Sequence, residues 1–341
     1  MAAWSLISKL KEGFAGADGP PKMETCALHL YGKLPIYKDF ISSGLTEEGA
    51  KEFRDWLGNG FSRRWANDDA YREAEIPLHT FLLPLPGGRR SVAGALWGSH
   101  DEGGLRRFPF TLFSVVPQGK AIADPLVALS YLEVFEERAT QIRRTYAAGR
   151  TLASFYEAYR GAKIEVPVKR PAKIAEGVEK EIRDVTLGDF AESLLGEGAA
   201  ASWPKFLARL RAACDAPPGE GAGAVRVPVG NLLPATAQLQ LWLAWLEAEG
   251  AFGRRAPSGV LVCRAGGRSR AVLFFRELRA EDFLLLHPER SDHEFVEEAV
   301  PARGAAAPEG PGDVEAPEAG KRPRGWDRPL AGFLRPEGRE A

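Results

Sequence analysis

The chain has 341 residues, 45% hydrophobic and 10% aromatic, a composition that can bury a sizeable core and excludes a natively disordered polypeptide. Its 45 Lys and Arg balance 46 Asp and Glu for a net charge of -1, so nothing in the balance asks for nucleic acid or an anionic membrane as partner. Cys26, Cys214 and Cys263 are too few and too scattered for a disulfide framework or a thiolate metal site, and suit a reducing, cytoplasmic setting.

The opening stretch, MAAWSLISKLKEGF, lacks the long apolar core and small-residue cleavage site of a secretory signal. Trp4, Ile7 and Leu10 fall at helical spacing beside Lys9 and Lys11, which predicts a tail or short docking helix over residues 1–23, with a membrane-surface helix as the alternative. No apolar run reaches the roughly 20 residues needed to cross a membrane as a helix. TCALHLYG then alternates, with Cys26, Leu28 and Leu30 on one face and Ala27, His29 and Tyr31 on the other, and reads as one strand. In TEEGAKEFRDWLGNGFSRRW, Thr46 is the expected N-cap, and Phe53, Trp56, Leu57, Phe61 and Trp65 form the aromatic face of an amphipathic helix.

Three strands follow: TFLLPL, VAGALWG and RFPFTLFSVV. The short connections PGGRRS and SHDEGGLR between them require antiparallel pairing, hence a meander. Asp124 and Pro125 start a long helix that carries Leu126, Leu129, Val134 and Phe135 inward and ends on Arg143 and Arg144. Helices are expected in TLASFYEAYR, LGDFAESLL, SWPKFLARLRAA and AQLQLWLAWLEAEG, the last closed by Gly250. GVLVCRA and RAVLFFR flank GGRS as a further hairpin, which either completes the sheet or forms a second layer. Beyond Pro301 the composition turns to Pro, Gly, Ala and Glu, predicting a disordered tail over 301–341. Its apolar end, with Trp326, Leu330, Phe333 and Leu334, reads either as a short peptide that docks on a partner or as a segment folded back on its own domain.

Familiar chemistry is hard to place. YGKLPIYKDF is not a phosphate loop: Ala27 stands where a glycine is needed, Leu34 follows Lys33, and Pro35 removes a backbone donor. His29, His79, His100, His287 and His293 show no metal-ligand spacing, and no cofactor is called for. Ser99, His100 and Asp101 lie within three positions and cannot easily converge on one atom as a triad. The residues therefore argue against an enzyme. Two charged-and-aromatic stretches remain: Gly32-Lys33-Leu34-Pro35 through Asp39-Phe40, and Ser99-His100-Asp101 through Arg106-Arg107-Phe108-Pro109. If they meet, Asp39 can pair with Arg106 or Arg107 while Phe40 and Phe108 pack beneath. The alternative is a surface patch for a protein partner.

GKLPIYKDF followed by the Phe/Trp-rich helix resembles the opening of the TagF (ImpM) family associated with bacterial type VI secretion. In that family Gly-Lys-Leu-Pro leads to Asp-Phe, and a later Ser-x-Asp-x-x-Gly-Arg leads to Phe-Pro. Gly32, Lys33, Leu34, Pro35, Asp39 and Phe40 match the first motif; Ser99, Asp101, Gly104, Phe108 and Pro109 match the second, with Arg106 or Arg107 in the arginine position and Leu105 as an extra residue. Trp97 in the preceding strand also fits, and the likeness is good over residues 24–118. It implies a cytoplasmic accessory protein that regulates the secretion machine post-translationally by protein–protein contact, in part through a forkhead-associated-domain scaffold. A structural or assembly subunit, and an enzyme with an unrecognised site at the 99–107 loop, are the other readings.

The fold expected is α+β: an antiparallel sheet with flanking helices in the order strand, helix, three-strand meander, long helix, similar to longin-like domains, with a helical elaboration in the middle. A TagF-like α+β domain is expected over 24–148. Residues 149–300 are expected to add the helical elaboration and C-terminal strands of the same globular unit.

Overall fold

The computed structural model describes residues 22–65, 69, 74–117, 125–146, 151–168, 171–196, 198–215, 223–248, 257–265, 268–287, 296–298 and 326–330. The N-terminal helix expected around Trp4, Ile7 and Leu10, the proposed caps Asp124 and Gly250, and Phe333 and Leu334 lie outside these residues.

The architecture is α+β. In chain order it comprises β1 (Lys22–Ala27), β2 (His29–Gly32), β3 (Ile41–Ser43), α1 (Glu48–Gly60) with a π-helical turn at Phe61–Trp65, β4 (Leu78–Pro84), β5 (Arg90–Trp97), β6 (Phe110–Pro117), α2 (Pro125–Tyr146) and α3 (Leu152–Tyr159). Then come β7 (Lys163–Val168), α4 (Pro171–Ile182), α5 (Leu187–Leu195), α6 (Ala199–Asp215), β8 (Ala224–Val229), α7 (Ala235–Ala248), β9 (Gly259–Ala265), β10 (Arg268–Phe274), a 3-10 turn at Ala280–Leu286, and β11 (Glu297–Glu298).

The predicted meander forms. Gly87 and Gly88 take φ of 82° and 61° at the β4–β5 turn, values an L side chain adopts at a cost. β4, β5 and β6 pair antiparallel, with Phe81 opposite Gly94 and Gly94 opposite Phe113. They are the centre of a nine-stranded sheet ordered β11-β8-β10-β9-β4-β5-β6-β2-β3. The 259–274 hairpin completes this sheet through β9 beside β4.

Two expectations change on inspection. TCALHLYG is not one strand: β1 pairs with β7 in a separate two-stranded sheet, whereas β2 joins the main one. The switch falls at Leu28, whose N–H donates to Ala162 O instead of to the main sheet. The middle of the chain is also not purely helical, since it supplies β7 and β8. Each contains a proline, Pro167 or Pro228, that obscures the strand pattern in the sequence. Both strands run at or near the margin of their sheets, where a missing N–H is tolerated.

Both faces of the sheet are covered, so β4, and β5 beyond Arg90, are buried and read as continuous apolar runs. On one face Leu82, Ala93, Ala95 and Phe110 meet α2 and the helices beyond it. There α7, apolar nearly all round, centres on Trp242, ringed by Phe190, Trp203 and Phe206 at centroid distances of 5.7, 6.0 and 5.2 Å. On the other face Phe81, Leu83, Val92 and Phe113 meet Phe53 and Leu57 of α1 and Phe283 of the 3-10 turn. The N-cap of this helix is Glu47, not the expected Thr46, and Glu47 makes no side-chain capping bond. The 3-10 turn is fixed by a buried bidentate pair, Arg276 Nη1 to Asp282 Oδ2 at 2.6 Å and Nη2 to Oδ1 at 2.7 Å.

His79 stands in β4 with no exposed surface, its Nδ1 donating to Pro77 O at 2.8 Å. Burial pushes its pKa down to about 4, with the Pro77 carbonyl pulling weakly the other way. The folded ring is neutral where an unfolded histidine takes up a proton below about pH 6.5. The unfolded state therefore binds more protons in this window, and stability falls as pH drops from about 6.5 towards 4. The shift corresponds to a loss on the order of 3 kcal/mol. Urea unfolding of the wild type and His79→Gln across this range should show the wild type losing stability more steeply; parallel profiles would contradict the assignment.

Candidate functional site

The two motif segments meet at the β2 end of the sheet. Gly32 closes β2 with φ of 130°. A Cβ at this position would stand 2.2 Å from Pro109 O and 2.7 Å from Phe110 Cα, so the first motif's glycine is required by the second motif's Phe-Pro. Beyond it the chain turns, with Tyr37 N–H donating to Leu34 O at 3.2 Å, and Leu34 is buried in the core. Pro35 is half-buried in that turn.

The second segment is organised around Asp101. Its Oδ1 accepts from the N–H groups of Leu105 and Arg106 at 3.0 and 3.2 Å, and its Oδ2 accepts from Arg106 Nε at 2.7 Å. The hydrogen bond from the Arg106 guanidinium, aided by the two backbone donors, holds the Asp101 carboxyl below the usual carboxylate range, against the opposing effect of burial. Gly104, at φ of 70°, lets the loop close, and its N–H donates to Asp101 O. Ser99 O receives the Phe108 N–H at 3.0 Å, and His100 pairs with Arg107 through an antiparallel bridge.

Arg106 also joins the two loops. Its Nη2 donates to Lys38 O, and nearby Glu102 N–H donates to Tyr37 O at 3.0 Å. The expected partner was the Asp39 carboxylate, and this is corrected: Asp39 is exposed and its Oδ1 accepts from the adjacent Phe40 N–H at 2.8 Å. A carboxylate five residues before the arginine already occupies the guanidinium, leaving only a backbone carbonyl of the first loop in reach.

An aromatic cluster fills the junction. Phe108 meets Phe40, Phe61 and Tyr31 at 4.8, 4.9 and 5.6 Å, and Tyr31 stacks on Phe40 at 5.5 Å. Lys33 is 3% exposed; its Nζ lies 4.5 Å from the Phe40 ring centroid and has no hydrogen-bond partner among the described residues. Beside the cluster opens a cleft of about 970 Å³, with Phe61, Trp65, Ile76 and Phe108 as its apolar lining and Ser99, His100 and Arg107 among its polar groups. Trp65 and Phe61 are legible in sequence as part of a helix face, but their position beside the second motif is not.

Residues 29–159 match the family model of the TagF N-terminal domain, described as type VI secretion system-associated. Over these residues, which are less than half of the chain, the sequence is similar to a TagF N-terminal domain. A crystal structure of PA0076 from Pseudomonas aeruginosa PAO1 is similar at 20% identity, covering 44% of this chain and 94% of that one with a TM-score of 0.25. A search of the curated proteins found no match. Within the residues similar to that domain the two adjacent arginines differ in role. Arg106 is bound into the loop junction, whereas exposed Arg107 lines the cleft and stands in no ion pair among the described residues.

The C-terminal segment does not present all of its apolar residues to a partner. Trp326 and Leu330 are buried on their own chain: Gly188 N–H donates to Trp326 O at 2.9 Å and Leu330 N–H to Val185 O at 2.9 Å. The expectation that these two residues dock on another protein gives way to the fold-back alternative.

Gly32→Ala should cost about 1–3 kcal/mol from the positive φ alone, with the Pro109 clash added, read by urea unfolding; a change within ~0.5 kcal/mol, the scatter of neutral substitutions, would contradict the packing requirement. Asp101→Asn should lower Tm at pH 7. Because its folded pKa is depressed, the stabilisation is present above about pH 4 and fades as pH falls through the lower folded value, so the gap from wild type should narrow in acid. Asp39→Asn should leave Tm unchanged. Equal effects of the two substitutions would overturn the assignment.

Proposed function

We propose that this protein is a cytoplasmic, post-translational regulator of a type VI secretion system that works by protein–protein contact. The observation that carries this reading is the convergence of both TagF motifs on one preformed junction. Asp101 and Arg106 are engaged in holding the loops, while Arg107, Phe40 and Leu105 face outward. Phe40 is 39% exposed and Leu105 88%, and exposed apolar side chains beside an arginine have the composition of interface anchors. No helix among the described residues is long and apolar enough to cross a membrane. A forkhead-associated-domain scaffold of the secretion machine is the partner we favour, on the family resemblance.

A second reading, an enzyme acting at the 99–107 loop, draws on the cleft that holds His100 and Arg107. Asp101, its natural acid–base candidate, is instead committed to Arg106 and two backbone donors. A fixed structural subunit is separated from a regulator by stoichiometry.

Affinity capture of the full chain from its native cell, with quantitative mass spectrometry, tests the proposal. Secretion components should be enriched in substoichiometric amounts. Capture without any secretion component would defeat the proposal, and equimolar recovery with one apparatus part would favour the structural subunit.

A further inference from the structure

The regulator reading leaves open what kind of segment the junction receives, and the cleft supplies a physical answer that rests on that reading. We propose that the cleft beside the 99–109 loop binds a short partner segment carrying an aliphatic or aromatic side chain next to a single carboxylate.

Three observations support this occupant. The first is shape: about 970 Å³ lined by Phe61, Trp65, Ile76 and Phe108 is large enough for one or two apolar side chains, within the roughly 300–1,000 Å³ typical of binding clefts. The second is charge. Arg107 lines this cleft, is exposed and stands in no ion pair among the described residues, whereas Arg106 beside it is held by Asp101. A guanidinium on an apolar wall pairs most strongly with a carboxylate presented in fork geometry. Glu75 also lines the cleft without pairing with Arg107, so a second acid on the segment would meet repulsion and a polyacidic run is disfavoured.

The third observation is extent. Leu105 lines the cleft and is 88% exposed, and Phe40, 39% exposed, touches Phe108 edge-on at 4.8 Å. The apolar surface thus extends beyond what a free small acid would cover, which favours a polypeptide over a metabolite. The 101–106 loop carries its own hydrogen bonds, so little ordering cost is added on binding.

The test is selection of random 12-residue peptides displayed on phage against the full chain, followed by fluorescence anisotropy of the enriched peptides. Enriched sequences should place one Asp or Glu within a few positions of Leu, Phe or Trp. Arg107→Glu should weaken the best peptide at least about tenfold, the scale of a close charge pair. The same loss should follow from replacing the peptide's acid with its amide, with no further loss when both changes are combined. Arg107 is exposed, so Tm should not move, and Leu105→Ser gives a second variant that should also weaken binding. Acid-free consensus sequences, equal affinity for wild type and Arg107→Glu, absence of any enriched peptide, or competition by N-acetyl-glutamate amide at the peptide's own affinity would each overturn the proposal. If peptides fail while secretion components are still captured, the regulator reading survives and the cleft is not its contact. If capture fails, that reading falls whatever the peptides show.

Discussion

One guanidinium sets the geometry of the end of this molecule where the two motif loops meet. Arg106 holds Asp101 within its own loop and reaches across to the Lys38 carbonyl in the other. The Asp101 carboxylate, 6% exposed, is the group that is costly to leave unpaired, while the more exposed Arg106 side chain links it to the first loop. Behind it, the missing side chain of Gly32 lets Pro109 approach, and Phe108 fills the space between Tyr31, Phe40 and Phe61. The polar bridge and the aromatic wedge act at different points of one junction. The bridge restrains the loop backbones and the wedge excludes water from beneath them.

The scaffold that presents this junction is a sheet with helices on both faces, and its rigidity follows from that cover. β4, and β5 beyond Arg90, are buried, so a polar group inside them gains by finding a local partner or giving up its charge. His79 does the second, remaining neutral against the Pro77 carbonyl. The segment at 326–330 adds a late contact, binding its backbone to Val185, Leu187 and Gly188 and burying Trp326 and Leu330. This contact ties the 326–330 segment to the start of α5.

Much of this was legible in the residues, and the failures have physical causes. The meander could be read because Gly87 and Gly88 mark a tight turn between apolar runs, and the aromatic face of α1 because its spacing is helical. β7 and β8 were hidden by Pro167 and Pro228, which break the strand signature without breaking the strand. The split at Leu28 left no mark, because alternation persists through a change of sheet. At the site, sequence placed the right residues in the right two segments but paired the wrong carboxylate with the arginine. Asp39 looked available because it leads to the first helix, yet a local staple from Asp101 needs no long-range closure and wins the guanidinium. The roles of Arg106 and Arg107 could be separated only by seeing which one the loop consumes.

The central claim is that the two motif loops behave as one mechanical unit. Residue-resolved amide hydrogen exchange on wild type and Arg106→Ala tests this most directly. If the loops are coupled, exchange should quicken together at Tyr37 in the first loop and at Glu102, Leu105 and Arg106 in the second. Faster exchange confined to residues 101–106, with Tyr37 unchanged, would show that Arg106 only closes its own loop and would contradict the account.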